Sequence, residues 1–494
     1  MRCLCPNFLI LRQSKNLFFK PDFFQRCSVQ QFTQRFLVFS CLLAAGQASA
    51  EDLSVMLERT YQVNPSLRSS FIAIQEADES TATANALIRP SADATIGYTL
   101  NGDRTSTDGS TTNSVNNTLS GQVKGSQPLY TFGRFDAAMA QADAASASAV
   151  VSFQSTMQDV LEDAADAYFD VIEARQEVRV NENNVRVLRQ QLKATRDRFE
   201  VGELTRTDVA LAQSELARVA ESSLAAARAR LAAAEAEYIR VSNQAPGDVM
   251  LPDPLAFLPQ SLDEAISVGE ANALSIAAAE ASMRSAEEDI AAANSAFNPR
   301  IDLLGDVTAS QGHARSRTSG SSSNGSDTNN LDASITARLT IPLYSGGSRF
   351  SDLRKAERKR ARLKTDILSA KQQVRADVAS AWADLQSKKL TIQSNQVAVR
   401  ASRLALEGIR EEYNVGERTL VDLLDAEQDL LTSAVQLIQS EVGWYKAQFA
   451  LAAATGLLTP TNLNMNVRSF DFAAYREQVR NSWGDRKLPA AVKE

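Results

Sequence analysis

The chain contains 494 residues, and its 59 acidic residues outnumber its 52 basic residues. An acidic balance argues against nucleic acid as a partner, because nucleic-acid binding requires basic surfaces. No stretch after residue 50 contains about 18 or more continuous apolar residues, so the sequence predicts no transmembrane helix.

Residues 1–50 have the features of an export signal. An apolar run at 36–45 follows basic residues, and Ala48-Ser49-Ala50 forms a small-residue cleavage pattern. We therefore expect residues 1–50 to be an export presequence, although its length leaves the true translation start open. The alternative is a lipoprotein signal that uses Cys41, but Phe39 is too bulky for such a signal.

The residue types present do not predict an enzyme. All four cysteines lie in the presequence, so the mature chain has no thiol nucleophile and no cysteine for a zinc site. His313 is the single histidine, and it lies in a Ser/Gly-rich segment. The presequence also holds six basic residues and one acid, which leaves the mature chain with a formal charge of −12. We expect no catalytic residue, no cofactor and no structural metal.

The first predicted elements are a helix and a β-hairpin. Residues 53–87 are predicted to be helical, with a break at Asn64-Pro65 because proline favours a first helical turn. Apolar and polar residues then alternate with period two over 91–100 and again over 115–127. The sequence therefore predicts a hairpin at about 91–127 with a long polar tip between its strands.

A very long helix is predicted after this hairpin. Residues 135–200 contain no proline, and apolar residues near their end recur at steps of three and four. A helix of about 65 residues is roughly 100 Å long at 1.5 Å per residue. The chain then turns at Val201-Gly202-Glu203, and a shorter helix is predicted over about 206–244.

The second half of the chain repeats the first at an offset of 214 residues. Pro342-Leu343-Tyr344 repeats Pro128-Leu129-Tyr130, and Val415-Gly416-Glu417 repeats the first Val-Gly-Glu turn. Similarity at a fixed offset indicates a duplicated structural unit. The predicted segments are the presequence 1–50, repeat 1 at 51–245, a linker at 246–259, repeat 2 at 260–457 with a hairpin at about 300–342 and a long helix at 348–414, and a tail at 458–494.

The strands predict an outer-membrane barrel that one chain cannot complete. Strands of about 10 to 13 residues, apolar on one face and polar on the other, are typical of such barrels, although a soluble sandwich could show the same alternation. Four strands cannot close, and an open sheet edge is not tolerated in lipid. We therefore expect several chains to share one barrel, and three chains would supply twelve strands. Lys124 and Arg338 would face its lumen, where they tune conductance or supply general polarity.

The segment that joins strand and helix in the second repeat, Pro342-Leu343-Tyr344-Ser345-Gly346-Gly347, resembles a signature of TolC-type outer-membrane efflux proteins. The turns after both long helices, above all the segment 415–425, look like the helical tips of that family. The resemblance covers about residues 52–458. It implies a mixed, mainly α fold. A homotrimer would form a 12-strand β-barrel in the outer membrane and a 12-helix α-barrel in the periplasm.

The resemblance also implies a function and partners. The protein would be the passive outer-membrane exit duct of a tripartite export system, in type I protein secretion or in multidrug efflux. Its partners would be a periplasmic adaptor protein, an inner-membrane transporter of the ABC or proton-driven type, and outer-membrane lipid. The tail would wrap the middle of the helical barrel or be partly loose. The alternative is a periplasmic coiled-coil adaptor or scaffold, although duplicated barrel hairpins are not expected there.

The second turn carries acidic residues that the first turn lacks. Both turns fit a helix capping box, Thr-x-x-Asp, which suffices to explain Asp208. It does not explain Asp425, which follows Asp422 by one turn on the same helix face and corresponds to Leu211 in repeat 1. By resemblance, Asp422 and Asp425 occupy the constriction rings of the family. A trimer would then place six carboxylates around a narrow opening that attracts cations.

Further tip residues are assigned by the same resemblance. Arg418 would pair with Thr207 and Asp208 of a neighbouring helix, and Tyr413 would join the latches that hold the tip closed. The glycines of the two turns have a plain role as helix C-caps, but the turns would also bind adaptor hairpins or a transporter. The residues of this second role are Val201, Gly202, Glu203, Val415, Gly416 and Glu417.

Overall fold

A computed structural model describes residues 50–321, 324–467, 470–480 and 482. The predicted presequence lies outside the described residues, apart from Ala50, and so does most of the tail after Arg480. The described chain is mainly helical and is built of two similar halves. Each half contains short helices, a β-hairpin, one very long helix and a helical segment that returns along it.

The first half contains two strands of a hairpin between helices. Its elements are β1 (Ala50–Glu51), α1 (Leu53–Val63), α2 (Pro65–Ala86), β2 (Ser91–Thr107), β3 (Ser110–Tyr130), α3 (Arg134–Glu200), α4 (Arg206–Ala217), a π-helical turn (Arg218–Ser223) and α5 (Leu224–Ser242). The break at Asn64-Pro65 is present as predicted. The Asn64 side chain caps α2 by accepting a hydrogen bond from the Ser66 N–H at 2.8 Å.

The second half repeats this order after a short linker strand. Its elements are β4 (Asp248–Val249), α6 (Leu262–Asn272), α7 (Leu274–Ser295), β5 (Arg300–Thr318), β6 (Asn324–Thr340), α8 (Ser348–Asn414), α9 (Leu420–Ala454) and α10 (Ala474–Arg480). The two long helices, α3 and α8, each have 67 residues. The linker is tied back to the beginning of the described residues, because β4 pairs in parallel with β1.

Two predictions about these elements are wrong. The long polar tip of the first hairpin is in fact strand, and β2 and β3 pair as far as Thr107 and Ser110. Asp108 and Gly109 both have positive φ angles, so they form the tight two-residue turn that hairpins favour. The helix predicted over 206–244 is interrupted by the π-helical turn. There the N–H of Leu224 bonds to the carbonyl of Val219, five residues back. The side chains of both residues are buried.

The two hairpins join into one antiparallel sheet in the order β2-β3-β5-β6. Alternate positions share a face, and the register places Val123 opposite Val307 and Val307 opposite Ala333. We call this the outer face; it comprises odd-numbered residues of β3, β5 and β6 and even-numbered residues of β2. It is apolar along much of its length yet exposed: Ile96 and Ile335 each expose 83% of their surface.

The helices pack around buried side chains at the middle of the molecule. The central cluster contains Leu161, Tyr168 and Phe169 of α3, together with Tyr238 of α5 and Phe449 of α9. These α3 residues recur at helical spacing, so one face of the long helix is buried while other faces stay exposed. No helix among the described residues combines the length and the apolarity needed to cross a membrane.

The described part of the tail packs against the first half. Phe470 lies 4.7 Å from Phe71 and 5.0 Å from Phe153, measured between ring centroids. In α10, the Tyr475 hydroxyl donates a hydrogen bond to Glu79 at 2.8 Å. Burial, followed by this contact with Glu79, raises the pKa of Tyr475 to about 12. Arg476 of α10 forms an ion pair at 3.0 Å with Asp78, which is fully buried.

Candidate functional site at the helical turns

The turn after α3 is a tight helix-to-helix reversal. Gly202 has φ of +83°, a left-handed conformation that glycine adopts without strain. Its N–H bonds to the Phe199 carbonyl at 3.0 Å, and the Glu203 N–H bonds to the Arg198 carbonyl at 2.9 Å. These bonds satisfy carbonyls at the helix end that would otherwise lack partners. They allow the chain to leave α3 and begin α4 within five residues.

The turn after α8 has the same geometry. Gly416 has φ of +82°, and the Glu417 N–H bonds to the Glu412 carbonyl at 2.9 Å. Val201 and Val415 project from the two turns and expose 72% and 73% of their surfaces. Two matching reversals therefore present the same exposed apolar residue beside a glycine and a glutamate.

Both turns continue into a capping box, as the sequence predicts. At the second turn, Asp422 Oδ2 accepts hydrogen bonds from the Thr419 hydroxyl at 2.7 Å and the Thr419 N–H at 3.0 Å. The Thr419 side chain accepts in turn from the Asp422 N–H. Thr205 and Asp208 repeat this exchange at the first turn. Asp422 and Asp208 thus both fix the start of a helix.

The capping contacts also keep Asp422 charged. Hydrogen bonds from the Thr419 side chain and then its backbone lower the pKa of Asp422, and Arg418 adds to this effect. Asp425 lies one turn further along α9 and is exposed. The corresponding position on α4 is Leu211, so the pair of acids belongs to the second turn alone.

Arg418 contacts its own helical hairpin. Its Nε donates a hydrogen bond to Glu412 Oε2 at 2.7 Å, and both side chains are about half exposed. Within the described residues, no hydrogen bond or ion pair joins Arg418 to Thr207 or Asp208. Its pairing with a neighbouring helix therefore stays a prediction.

Tyr413 lies beside the same turn but is buried. It packs with Leu420, Leu423 and Leu406 in the apolar cluster that holds α8 and α9 together near the tip. The Arg198 guanidinium of α3 lies 5.4 Å from the centre of the Tyr413 ring. This contact joins the ends of the two long helices.

A buried acid behind the tip was missed by the sequence analysis. Glu427 of α9 exposes only 5% of its surface, and its Oε1 lies 3.3 Å from the Arg410 guanidinium. Its Oε2 has no hydrogen-bond partner within the described residues. Burial raises the pKa of Glu427, although Arg410 acts in the opposite direction. The available signal was its position on the apolar stripe of α9, because Glu427 stands at helical spacing between Leu423-Leu424 and Leu430-Leu431.

Glu427 lies at the floor of a groove between the long helices. The groove has a volume of about 580 Å³ and is lined by residues 179–187 of α3, 399–410 of α8 and 427–434 of α9. Three arginines, Arg179, Arg403 and Arg410, line it together with two acids, Glu407 and Glu427, two asparagines and aliphatic side chains. The tip is therefore followed by a partly apolar groove of mixed charge rather than by a flat helical surface.

Comparison with known proteins identifies the family. A sequence profile described as Outer membrane efflux protein matches residues 56–241 and 265–457. The chain belongs to this family. The outer membrane efflux protein BepC of Brucella suis is 30% identical over 462 residues, which are 92% of this chain and 96% of BepC. Outer membrane protein TolC of Escherichia coli is 25% identical over 427 residues, 84% of each chain.

A solved structure shows the same fold. The Campylobacter jejuni CmeC outer membrane channel superimposes with a TM-score of 0.66 at 14% identity, covering 87% of this chain and 89% of CmeC. The predicted family, the location and the mainly helical fold with an antiparallel sheet are thus confirmed, whereas the trimer stays a prediction. The protein is an outer-membrane efflux-family protein with the fold of TolC-like channels, in which a β-barrel is continued by an α-barrel.

Proposed function

We propose that the protein is the exit duct of a tripartite export system and that three copies form it. The observation that carries the proposal is the open four-stranded sheet. Its two outer strands, β2 and β6, each lack a partner on one side within the described chain. An unpaired edge is costly in lipid, where no water can satisfy the backbone. Three sheets joined edge to edge would form a closed barrel of twelve strands.

The helices would continue this barrel as a tunnel. At 1.5 Å per residue, α3 and α8 are each roughly 100 Å long. They follow β3 and β6 directly, so the tunnel would begin where the barrel ends. The proposal assigns no catalytic residue, and the energy for export would come from an inner-membrane transporter. A periplasmic adaptor would join the transporter to the duct.

The second turn would close the duct. Asp422 and Asp425 would form two rings of three carboxylates around the trimer axis, and Asp422 stays ionised because its pKa is lowered. Such rings attract cations and repel anions. Arg418 is free to exchange partners, because an ion pair as exposed as Arg418–Glu412 is weak. In the closed trimer it would turn to Thr207 and Asp208 of a neighbouring helix, while Tyr413 holds the helix ends together.

The two Val-Gly-Glu turns would be the docking points for the partners. Their exposed valines offer apolar contact, and Glu203 and Glu417 offer charge. A partner that recognises one turn would recognise the other, because both have the same backbone conformation. Six equivalent turns in a trimer fit a ring of adaptor subunits.

The assembly is tested by purification and conductance. The mature protein should fractionate with the outer membrane and require detergent. Its mass in detergent should be that of a trimer, and it should open steady channels in planar bilayers. A folded, water-soluble monomer would contradict the proposal.

The gate is tested by a double substitution. Asp422→Ala with Asp425→Ala should weaken block of single-channel current by a trivalent cation by roughly tenfold or more, because the carboxylates that bind the cation are lost. The control is Glu411→Ala with Glu417→Ala, which removes the same charge from exposed positions of the same tip. Equal block in both variants would remove the gate assignment.

The cargo is tested in cells. Deletion of the gene should either remove particular proteins from the medium or increase sensitivity to toxic small molecules. The first outcome assigns type I secretion, and the second assigns efflux. A strain in which neither property changes would contradict both uses.

A further inference from the structure

The outer face of the sheet changes character towards the hairpin turns. On β5, outward residues from Ile301 to Ala309 are apolar or glycine. Gln311 and His313 follow on the same face, and then Arg315 and Arg317. On β2, the outward apolar series ends at Leu100, and Arg104 lies four residues beyond it. We call Arg104, Arg315 and Arg317 the arginine patch.

The strand register brings the patch together. Asn113 pairs with both Arg317 and Arg104, so the two arginines flank it on neighbouring strands, roughly 10 Å apart. Arg315 lies two residues along β5, about 7 Å from Arg317. It pairs with Gly325 of β6, which has no side chain to cover it. All three arginines are exposed, and none forms a hydrogen bond or ion pair within the described residues.

The patch is specific to one face of the sheet. In the described strands, the single acid on the outer face is Asp327, which is bound to His313. The opposite face carries more acids than bases; its acids are Asp93, Asp103, Asp302, Asp306 and Asp332, and its bases are Lys124, Arg300 and Arg338. Net positive charge is therefore confined to the face that meets the membrane.

The position of the patch indicates which part of the membrane it meets. The helices lie at the other end of the strands, so the hairpin turns point away from the periplasm. Arg315 is six residues beyond Ala309, about 20 Å along the strand and about 15 Å along the membrane normal at a typical tilt. A phospholipid headgroup layer is only about 5 to 8 Å thick. Extended arginine side chains can reach the outer part of such a layer, and Val115 of β3, which pairs with Arg315, is still apolar. A bulkier headgroup contacts all three arginines over their full height.

We propose that the arginine patch binds the phosphorylated sugar headgroup of the glycolipid in the outer leaflet. Guanidinium groups form paired hydrogen bonds with phosphate oxygens, and the patch offers three of them within one headgroup's reach. A neighbouring subunit cannot cover Arg315 or Arg317, because β5 is an interior strand with partners on both sides. The inference rests on the barrel of the proposed function, since it requires the outer face to meet lipid.

The test measures lipid binding to the purified trimer in detergent. The probe is bisphosphorylated lipid A, titrated and followed by native mass spectrometry. The test variant is Arg315→Gln with Arg317→Gln. The matched control is Lys124→Gln with Arg338→Gln, which removes the same charge from the opposite face. The test variant should bind roughly 25-fold more weakly than the parent protein, because each basic residue near an anionic lipid surface contributes about fivefold. The control should bind as the parent does.

Titrations with other lipids test whether the patch recognises the phosphates and whether it prefers the glycolipid to a phospholipid. Lipid A without its phosphates should not distinguish the test variant from the parent, and phosphatidylglycerol should bind the parent more weakly than lipid A does. Equal loss in both variants, no loss in the test variant, or preference for phosphatidylglycerol would overturn the proposal. Single-channel conductance is recorded on the same preparations. If the parent protein conducts normally but binds every tested lipid equally well, only the glycolipid site is overturned. If the parent protein forms no channels, the proposed function is overturned.

Discussion

Gly456, just after the end of α9, lies where no larger residue fits. Its φ is +71°, which is unfavourable for any residue with a side chain. A Cβ atom at this position would lie 2.3 Å from the carbonyl oxygen of Asn272, at the end of α6. The obstacle is backbone, so it cannot rotate away as a flexible side chain can. The contact fixes how closely these two helix ends approach each other.

Replacement of Gly456 should therefore be costly. Gly456→Ala should lower the free energy of unfolding by about 2 kcal/mol or more, from backbone strain and from the clash. The measurement is thermal unfolding of the mature protein in detergent. Gly408→Ala is the control, since Gly408 lies inside α8 with open space around its Cβ position. It should be neutral or stabilising by about 0.5–1 kcal/mol, and equal losses in both variants would contradict the account.

Glu427 makes stability near the tip depend on pH. Burial raises its pKa above the ordinary value of 4.5, with an added effect from Glu215 and an opposing effect from Arg410. Between 4.5 and the raised pKa, the folded protein binds more protons than the unfolded chain. The contribution of Glu427 to the free energy of unfolding is therefore fully present below pH 4.5, and it is lost as pH rises through the raised pKa.

Glu427→Gln should remove this dependence. At pH 7 the variant should be more stable than the parent protein by on the order of 1 kcal/mol, because no buried charge forms. Near pH 4 the two proteins should unfold at similar temperatures. Unfolding midpoints measured from pH 4 to 7.5 test this, with Asp429→Asn, an exposed acid of the same helix, as control. A difference between variant and parent that stays constant with pH would exclude Glu427 as the titrating group.

At the scale of elements, one contact that holds α10 to the first half is made to a buried carboxylate. Asp78 of α2 accepts hydrogen bonds from Arg476 at 3.0 Å and from Ser146 of α3 at 2.5 Å. Asp78 is fully buried, whereas Arg476 is partly exposed. The tail therefore supplies the positive charge that allows an acid to lie between α2 and α3.

Loss of that charge should release the tail. Arg476→Gln should lower the free energy of unfolding by about 2–3 kcal/mol, because Asp78 would stay buried without its cation. Cleavage by added protease near residue 470 should become faster. Arg480→Gln changes the same charge on the same helix at an exposed position and should have neither effect. Equal cleavage of the two variants would show that the ion pair does not hold α10.

The sequence predicted those elements that depend on residues close together in the chain. The capping boxes and the glycine turns follow from residues within five positions of each other, so Gly202, Gly416 and Asp422 were assigned correctly to them. The π-helical turn at 218–223 was not predictable, because no proline or glycine marks it. It depends on the distant packing that buries Val219 and Leu224 together.

In the hairpin strands too, local sequence predicted one part and contacts between distant residues decided the other. Period-two alternation predicted their apolar parts, but the polar stretches that follow were assigned to loops. Those stretches become strand because β3 and β5 pair along nearly their whole length, a contact between distant parts of the chain. The Asp108-Gly109 pair was the local signal for a tight turn.

At the scale of the whole molecule, the duplication explains why both halves contain the same elements. The positions at which the halves differ distinguish the second turn from the first. The offset of 214 residues predicted two hairpins and two long helices, and each is present. What distinguishes the halves was visible only in part. Asp425 and Arg418 stand out against Leu211 and Leu204 in the sequence. The Glu412 partner of Arg418 and the burial of Glu427 depend on how the helices fold back on each other.

The unpaired edges of the sheet, formed by β2 and β6, have a genetic consequence. A subunit damaged only at β6 could still accept a neighbour along β2, so it would enter rings that it prevents from sealing. If three copies form the duct as proposed, about seven-eighths of the rings in a cell that makes damaged and intact copies in equal amounts would contain at least one damaged copy. Such alleles should be dominant, whereas alleles that abolish folding before assembly should be recessive.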